Sequence, residues 1–390
     1  MPRTHACLLV SSFLLAACGE TPTPAQTTDA ATQDVARDAL PDATPDGAMS
    51  DAAVDDATDA APEAAPPPRY AWESVTPPGE GPLGRWGYMV AATGPGEAYV
   101  FGGTTLTLTG SGSVSSDLWR WDGRADAATF TRVTGTGAPP RRYCGCVGYI
   151  PTSRTLLMMG GRNPNEASAE TWAFDVASGA WSQVMTTAMP TGLIGCQMAW
   201  STSRGALYFF GGCGETAGCS GRTWRYDPSG PTWVRLDATG PRARYDDALV
   251  PIGDGRQLVM FAGARSASGA ANFFHDVWRF DTMTEAWSEL TVEGPTPPGR
   301  RNPWVSVDAD GNGMLVAMGA TGLQPTDVLD DLWHLDFTAR TWTALTPEGD
   351  TPPPRGFVAA LPVTGTSRGV LMGGFDNSGP VRDLWRLRAR

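Results

Sequence analysis

The chain is 390 residues long and carries a formal charge of −12, with 47 glycines and 33 prolines. The charge is uneven: residues 19–68 hold eleven acids and one base, Arg37, which leaves residues 69–390 close to neutral. The low isoelectric point therefore describes a tail rather than a surface, no basic stripe points to nucleic acid as a partner, and so much glycine and proline fits a loop-rich β protein better than a helical one.

The chain opens on a weakly basic stretch (Arg3, His5) and an apolar run, Leu8 to Ala17, too short to cross a bilayer as a stable helix. The run ends in Leu15-Ala16-Ala17-Cys18. That ending resembles the lipobox of bacterial lipoproteins; the other reading is an ordinary cleaved signal with a chance cysteine. The resemblance implies cleavage before Cys18, diacylation of its sulfur, and membrane contact through lipid alone. Gly19 stands where an aspartate would mark inner-membrane retention, so the expected location is the bacterial cell envelope, at the outer membrane. Residues 19–68 are rich in Ala, Asp, Thr and Pro and hold no aromatic residue. Such a segment cannot bury enough apolar surface to offset the entropy of ordering. Its like charges extend it, so it reads as a disordered acidic tether, with an interaction tail as the alternative.

From residue 69 to 390 the sequence repeats itself. A short apolar run ends in two small residues six times, at Gly102-Gly103, Gly160-Gly161, Gly211-Gly212, Ala262-Gly263, Gly319-Ala320 and Gly373-Gly374. The spacings are 58, 51, 51, 57 and 54. A tryptophan follows each pair: Trp119, Trp172, Trp224, Trp278, Trp333 and Trp385. An aspartate lies three residues beyond the first five of them (Asp122, Asp175, Asp227, Asp281, Asp336), and a second aromatic follows (Phe130, Trp181, Trp233, Trp287, Trp342).

This ordered recurrence resembles the Kelch repeat of galactose-oxidase-like architecture, with four strands per blade and a period of about 50 residues. The resemblance implies an all-β, six-bladed propeller. The residues themselves agree. Short apolar runs between Gly, Pro and Asp turns are strands, the glycines let the backbone turn or approach a neighbour, and the tryptophans pack blade on blade. The sixth repeat reaches Arg390 before its last aromatic strand, while Ala71-Trp72-Glu73-Ser74-Val75 is a spare strand of the right kind. This N-terminal strand is expected to join the last blade and close the ring.

Labelling the strands of a blade a to d places the a–b and c–d turns on one face and the b–c and d–a connections on the other. The first set is short, as at 93–96, 253–255 and 281–284; the second is longer and varied, as at 104–116, 264–275 and 321–330. Long loops on a rigid scaffold carry function, so the b–c/d–a face is the expected binding face. An arginine recurs there just before strand a: Arg85, Arg142, Arg244, Arg301 and Arg355, with Leu193 in the third repeat. An aromatic follows closely in each case: Trp86, Tyr143, Tyr245, Trp304 and Phe357. Two readings stay open. The arginines bond loop carbonyls and neighbouring blades, or they ring the channel mouth as guanidiniums for planar anions, with aromatics beside them for sugar rings or peptide side chains.

Catalytic side chains are sparse. Of His5, His275 and His334, the first leaves with the signal and the others lie at inequivalent repeat positions. The galactose-oxidase copper set of two His, two Tyr and a Cys is not legible despite Tyr143-Cys144, nor is a Ser-His-Asp triad. Asp308-Ala309-Asp310-Gly311-Asn312-Gly313 has the spacing of half a calcium loop, but its twelfth position is Gly319, and it falls on an a–b turn. No catalytic residue, metal site or cofactor is expected. Once Cys7 leaves and Cys18 anchors, five cysteines remain. Cys213 and Cys219 bracket one loop and are expected to pair. Cys196 lies near the repeat position of Cys144 and Cys146, which gives one cross-blade bond and one free thiol.

The reading is a monomeric, non-enzymatic binding propeller whose partner is a glycan, peptide or protein. The alternatives are a sugar-acting enzyme resembling the Kelch-type sialic acid mutarotases, and a structural envelope protein without a soluble ligand.

Overall fold

The computed structural model describes residues 69–390 except 78, 108–109, 125–127, 164, 187–192, 215–217, 266–271, 323, 325 and 366. The lipobox, Cys18 and the 19–68 segment lie outside the described residues. Six four-stranded antiparallel sheets, two small hairpins and no α-helix make up the described part. In blade one, strands a to d are Met89–Gly94, Glu97–Phe101, Leu118–Asp122 and Thr129–Val133. The strands a of the next five blades are Cys146–Ile150, Met198–Ser201, Ala248–Ile252, Trp304–Val307 and Ala359–Leu361. Together they wall the central channel.

The burial of each strand follows from its place in the blade. Strand b lies between two neighbouring sheets, so Ala206–Phe210 is apolar and buried throughout. Strand d is the outer edge, and in Ala180–Val184 only Trp181 is buried. The core is accordingly six apolar seams, one per pair of adjacent blades. The outer aromatic of one blade meets a strand-b aromatic of the blade before it: Trp181 on Phe101 (5.4 Å), Trp287 on Phe210 (5.4 Å) and Trp342 on Phe261 (5.1 Å).

The ring closes as expected. Tyr70–Val75 pairs antiparallel with Leu384–Ala389 and becomes the outer strand of blade six. Trp72 then packs edge-on against Trp304 of blade five, 5.6 Å between centroids. A second closure runs through the backbone. The second residue of each small-residue pair donates its N–H to a carbonyl of the next blade: Gly103 to Arg142, Gly161 to Leu193, Gly212 to Arg244, Gly263 to Arg300, Gly319 to Arg355 and Gly374 to Arg85, all at 2.8–3.2 Å. The first residue sits left-handed, at φ +67° for Gly102, and a Cβ there would lie 2.3 Å from the Arg142 carbonyl. These positions favour glycine for that reason.

One expectation shifts in register here. The pair in blade five is Met318-Gly319, at φ +59° and +105°, not Gly319-Ala320. Methionine in the first place hides the motif, and the neighbouring Gly-Ala offers a false match one residue later. The recurring aspartates, by contrast, have a plain local role as c–d turn caps. Asp175 accepts from the N–H groups of Ala177 and Ser178 at 2.8 Å, and Asp336 does the same with Thr338 and Ala339. The calcium-like segment is likewise an a–b turn, with Asp310 accepting from the Asn312 N–H at 3.0 Å. Cys213 bonds Cys219, Cys146 of blade two bonds Cys196 of blade three, and Cys144 is the free thiol among the described cysteines.

Candidate functional site at the channel mouth

The repeat arginines serve the fold. Arg244, fully buried, grips Asp276 with two guanidinium nitrogens at 2.6 and 2.8 Å, donates to the Ala262 carbonyl at 2.9 Å, and lies 4.0 Å over the Phe274 ring. Arg85 holds Asp117, Arg142 holds Glu170, and Arg355 holds Asp383. Each acid also accepts the indole N–H of the tryptophan two residues on, Trp119, Trp172, Trp278 and Trp385, at 2.8–3.0 Å. Burial alone would raise the Asp276 carboxyl, but Arg244's hydrogen bonds and charge outweigh it and hold it below the ordinary range. Blade three lacks both partners at once: Leu193 replaces the arginine and Arg222 stands in the acid's place.

Arg301 is not a member of this set. The blade-five member is Arg300, which grips Asp331 at 2.6 Å with both nitrogens and donates to the Met318 carbonyl. Two adjacent arginines and the one-residue slip in the small-residue pair concealed this. Trp304, expected beside Arg301 on the face, is instead fully buried in strand a and donates to the Val370 carbonyl. Arg301 nevertheless lies at the channel mouth. It donates to the Tyr245 hydroxyl (2.9 Å) and the Gly322 carbonyl (3.0 Å), stacks 4.8 Å over Phe357, and stands 3.8 Å from Asp246.

A collar forms that mouth. Two residues past the repeat arginine position, every blade turns left-handed: Gly87, Cys144, Gly195, Asp246, Asn302 and Phe357, at φ between +47° and +68°. Around the ring, Cys144 donates its N–H to the Gly87 carbonyl, Gly195 to Cys144, Asp246 to Gly195 and Asn302 to Asp246, at 2.6–2.8 Å. Inside the collar the channel is a cavity of about 340 Å³, reaching to Arg368 near the a–b turns. Outside it, Trp86 is the hub of an aromatic group, 5.2 Å from both Tyr143 and Phe357 and 6.1 Å from Phe375. Of the sequence-predicted site residues, the structure therefore gathers Trp86, Tyr143, Tyr245 and Arg301 at the mouth. The guanidinium donors of Arg85, Arg142, Arg244 and Arg355 go to carbonyls and carboxylates of their own blades.

Sequence reading missed Asp246 and Asp247. Burial pushes Asp246 up to about 6, against the pull of Arg301, and Asp247 up to about 7, against the pull of Arg244. Asp247 is 1% exposed, and neither of its oxygens has a hydrogen-bond partner. The available signal was the repeat itself: an acid stands at a collar position that other blades fill with Gly87, Cys144 or Gly195. Burial also pushes the Cys144 thiol up, which makes it a poor nucleophile. Away from the channel, on the side of the a–b turns, His334 of strand c bonds Asp308 at 2.7 Å. The same strand-c position holds Arg120, paired with Glu97, in blade one and Arg225, paired with Glu285 of blade four, in blade three, so a polar pair recurs at it with partners from different segments.

A family model described as the KLHDC2/KLHL20/DRC7 Kelch-repeats domain matches residues 152–374. The chain belongs to the Kelch-repeat family. Kelch domain-containing protein 3 from Homo sapiens is 29% identical to this Kelch propeller over 209 residues, 52% of this chain and 53% of that protein. Acyl-CoA-binding domain-containing protein 4 from Arabidopsis thaliana is 28% identical over 236 residues, 57% of this chain and 33% of that protein. The chain thus spans about half the length, or less, of these curated relatives. A solved structure titled Structure of YjhT superimposes with a TM-score of 0.59 at 16% identity, covering 78% of this chain and 95% of that one. At that identity the likeness speaks for the fold. A Kelch propeller is a scaffold for binding proteins or other ligands.

Proposed function

We propose that this Kelch propeller is a lipid-anchored binding protein of the bacterial cell envelope, taking a glycan, peptide or protein at the collar side of its channel. One observation carries the reading. The b–c/d–a face gathers the Trp86 aromatic group, Arg301 and two buried carboxylates around an open mouth. The opposite face consists of short capped turns. The test is capture from a glycan array and from envelope extract by the full chain. Replacing Trp86 and Phe357 together by Ala lowers capture at least about tenfold while the domain stays folded, the scale of losing an aromatic anchor; equal capture by both proteins refutes the site. Cys18→Ala releases the chain from the membrane fraction, and unchanged fractionation refutes the anchor.

A second reading, turnover of a sugar in the channel, draws on Asp246 and Asp247, two carboxyls that titrate near neutrality at one end of a cavity. Their charge disfavours an anionic sugar. Polarimetry of neutral sugars with the chain and with Asp247→Asn decides it, since turnover that survives the substitution removes the acid–base role.

A further inference from the structure

In blades one, three, four and five, strand c carries a cationic or imidazole side chain two places before its last aspartate. In three of them an acid meets it. Arg120 has Glu97, His334 has Asp308, and Arg225 has Glu285, which reaches across the seam from the c–d turn of blade four. The member in blade four is Arg279, on Val277–Asp281. Its side chain faces blade five, with the guanidinium 5.2 Å from the Phe337 ring and Nη2 3.5 Å from the Phe337 carbonyl. The place that Glu285 takes at the seam of blades three and four belongs here to Arg340. Both stand four residues past the aspartate that caps the c–d turn, and both are left-handed, at φ +55° and +57°. A cation therefore stands where the neighbouring seam has its acid. The Tyr208 hydroxyl, 3.4 Å from Glu285, is also replaced: its strand-b counterpart opposite Arg279 is Val259.

The seam of blades four and five is thus left with two positive charges. Arg279 Nε is buried without a hydrogen-bond partner, while Nη1 makes no hydrogen bond and is open to solvent. Burial first and the Arg340 charge second weaken the hold of Arg279 on its proton. The acids nearby do not answer this charge. Asp281, next along strand c, accepts from the Met283 and Thr284 N–H groups and lies 3.5 Å from Arg256. Glu293 donates its backbone N–H to the Arg340 carbonyl, and its exposed carboxylate pairs with neither arginine. A guanidinium does not deprotonate in a protein, so the charge is met by an anion or left standing. Its planar donors suit oxyanions. One carboxylate offsets half of a charge of +2, whereas a phosphate or sulfate dianion offsets all of it. Arg340 is exposed, so the seam opens to solvent at the c–d turn, on the side opposite the collar. We propose that this seam binds a divalent oxyanion, a phosphate or sulfate group, between Arg279 and Arg340, where Glu285 bridges its own seam.

The test follows thermal unfolding of the full chain at pH 8 in about 10 mM sodium sulfate, and in glucose 6-phosphate at the same concentration, against sodium chloride of equal ionic strength. Either anion raises the midpoint by about 2 °C, the linkage expected of a ligand at ten times its Kd. Equal shifts identify a free ion as the ligand; a larger shift from the sugar phosphate identifies a phosphate carried on a larger molecule. Arg340→Glu copies the Arg225–Glu285 seam at a turn position whose left-handed backbone already accepts glutamate in blade four. It raises the midpoint in chloride and abolishes the anion-specific shift, and Arg279→Gln abolishes that shift as well. General stabilisation by excluded sulfate would persist in both variants. The proposal is overturned by no shift from either anion in the parent, by an equal shift in either variant, or by a midpoint in chloride that falls with Arg340→Glu. None of these results touches ligand capture through Trp86 and Phe357, which stands or falls by that pair of substitutions.

Discussion

Replacing Asp276 by Ala strands a guanidinium inside blade four. Arg244 is fully buried, and it loses contacts of 2.6 and 2.8 Å to the carboxylate while Trp278 loses its acceptor. Breaking one side of such a buried pair costs about 3–5 kcal/mol, whereas exchanging both partners for a packed apolar alternative is close to neutral. At about 2.1 cal/mol/K per residue for unfolding, that loss lowers the midpoint of a domain of this length by roughly 4–7 °C. The molecule contains its own control in blade three, which does without the pair by carrying Leu193 and Arg222. Copying that solution, Arg244→Leu together with Asp276→Arg, should recover most of the loss. Thermal unfolding of the parent, Arg244→Leu, Asp276→Arg and the double variant closes the cycle. Strong non-additivity is expected, with the double variant more stable than Asp276→Arg alone. A double variant as unstable as the sum of its single changes would show that the arginines do not act as half of a unit.

Three further outcomes follow from the same structure. Deleting residues 70–75 takes Tyr70 and Trp72 out of the core and uncovers Leu387 and Trp304, so at roughly 2 kcal/mol for each of these large apolar groups the midpoint should fall by about 10 °C; melting like the parent would exclude closure by this strand. Asp247 has its carboxyl raised to about 7 in the fold against about 4 when unfolded. The folded state therefore binds the proton more tightly. Stability is full below about pH 4 and falls by up to about 4 kcal/mol as pH rises past 7, and Asp247→Asn should stabilise at pH 8.5 but not at pH 4, as seen by urea unfolding at the two pH values. Chain-entropy estimates give about 4 kcal/mol for Cys146–Cys196, which closes 50 residues, and about 2 for Cys213–Cys219, which closes 6; replacing each pair by Ala should rank the losses in that order.

The blades were legible because their determinants are local and repeated. Strand b must be apolar between two sheets, the small pair must turn left-handed against the next blade's carbonyl, and Asp175 and its equivalents cap a turn two and three residues ahead. The closing strand was legible for the same reason, since Trp72 stands in a strand that copies those carrying Trp181 and Trp287. Register failed where a local rule was broken, at Met318, whose left-handed backbone is imposed by the ring of interblade hydrogen bonds rather than by its own preference. The site was harder to see. The recurring arginines stand out in the sequence, but their recurrence marks an ion pair that five of the six blades use to hold their own loops. Asp246, Asp247 and Arg301 occur once each at their positions. What they become depends on burial and on neighbours from blades five and six, which no spacing along the chain displays.

The proposed ligand contact lies at the collar and not on the capped turns beneath it. Hydrogen–deuterium exchange of the full chain, with and without a ligand captured on the array, tests this directly. Slowed exchange should appear at 85–88, 142–146, 193–197, 244–247, 300–303 and 355–358, the segments that build the mouth. Protection confined to the a–b and c–d turns, such as 253–255 and 310–313, would contradict it.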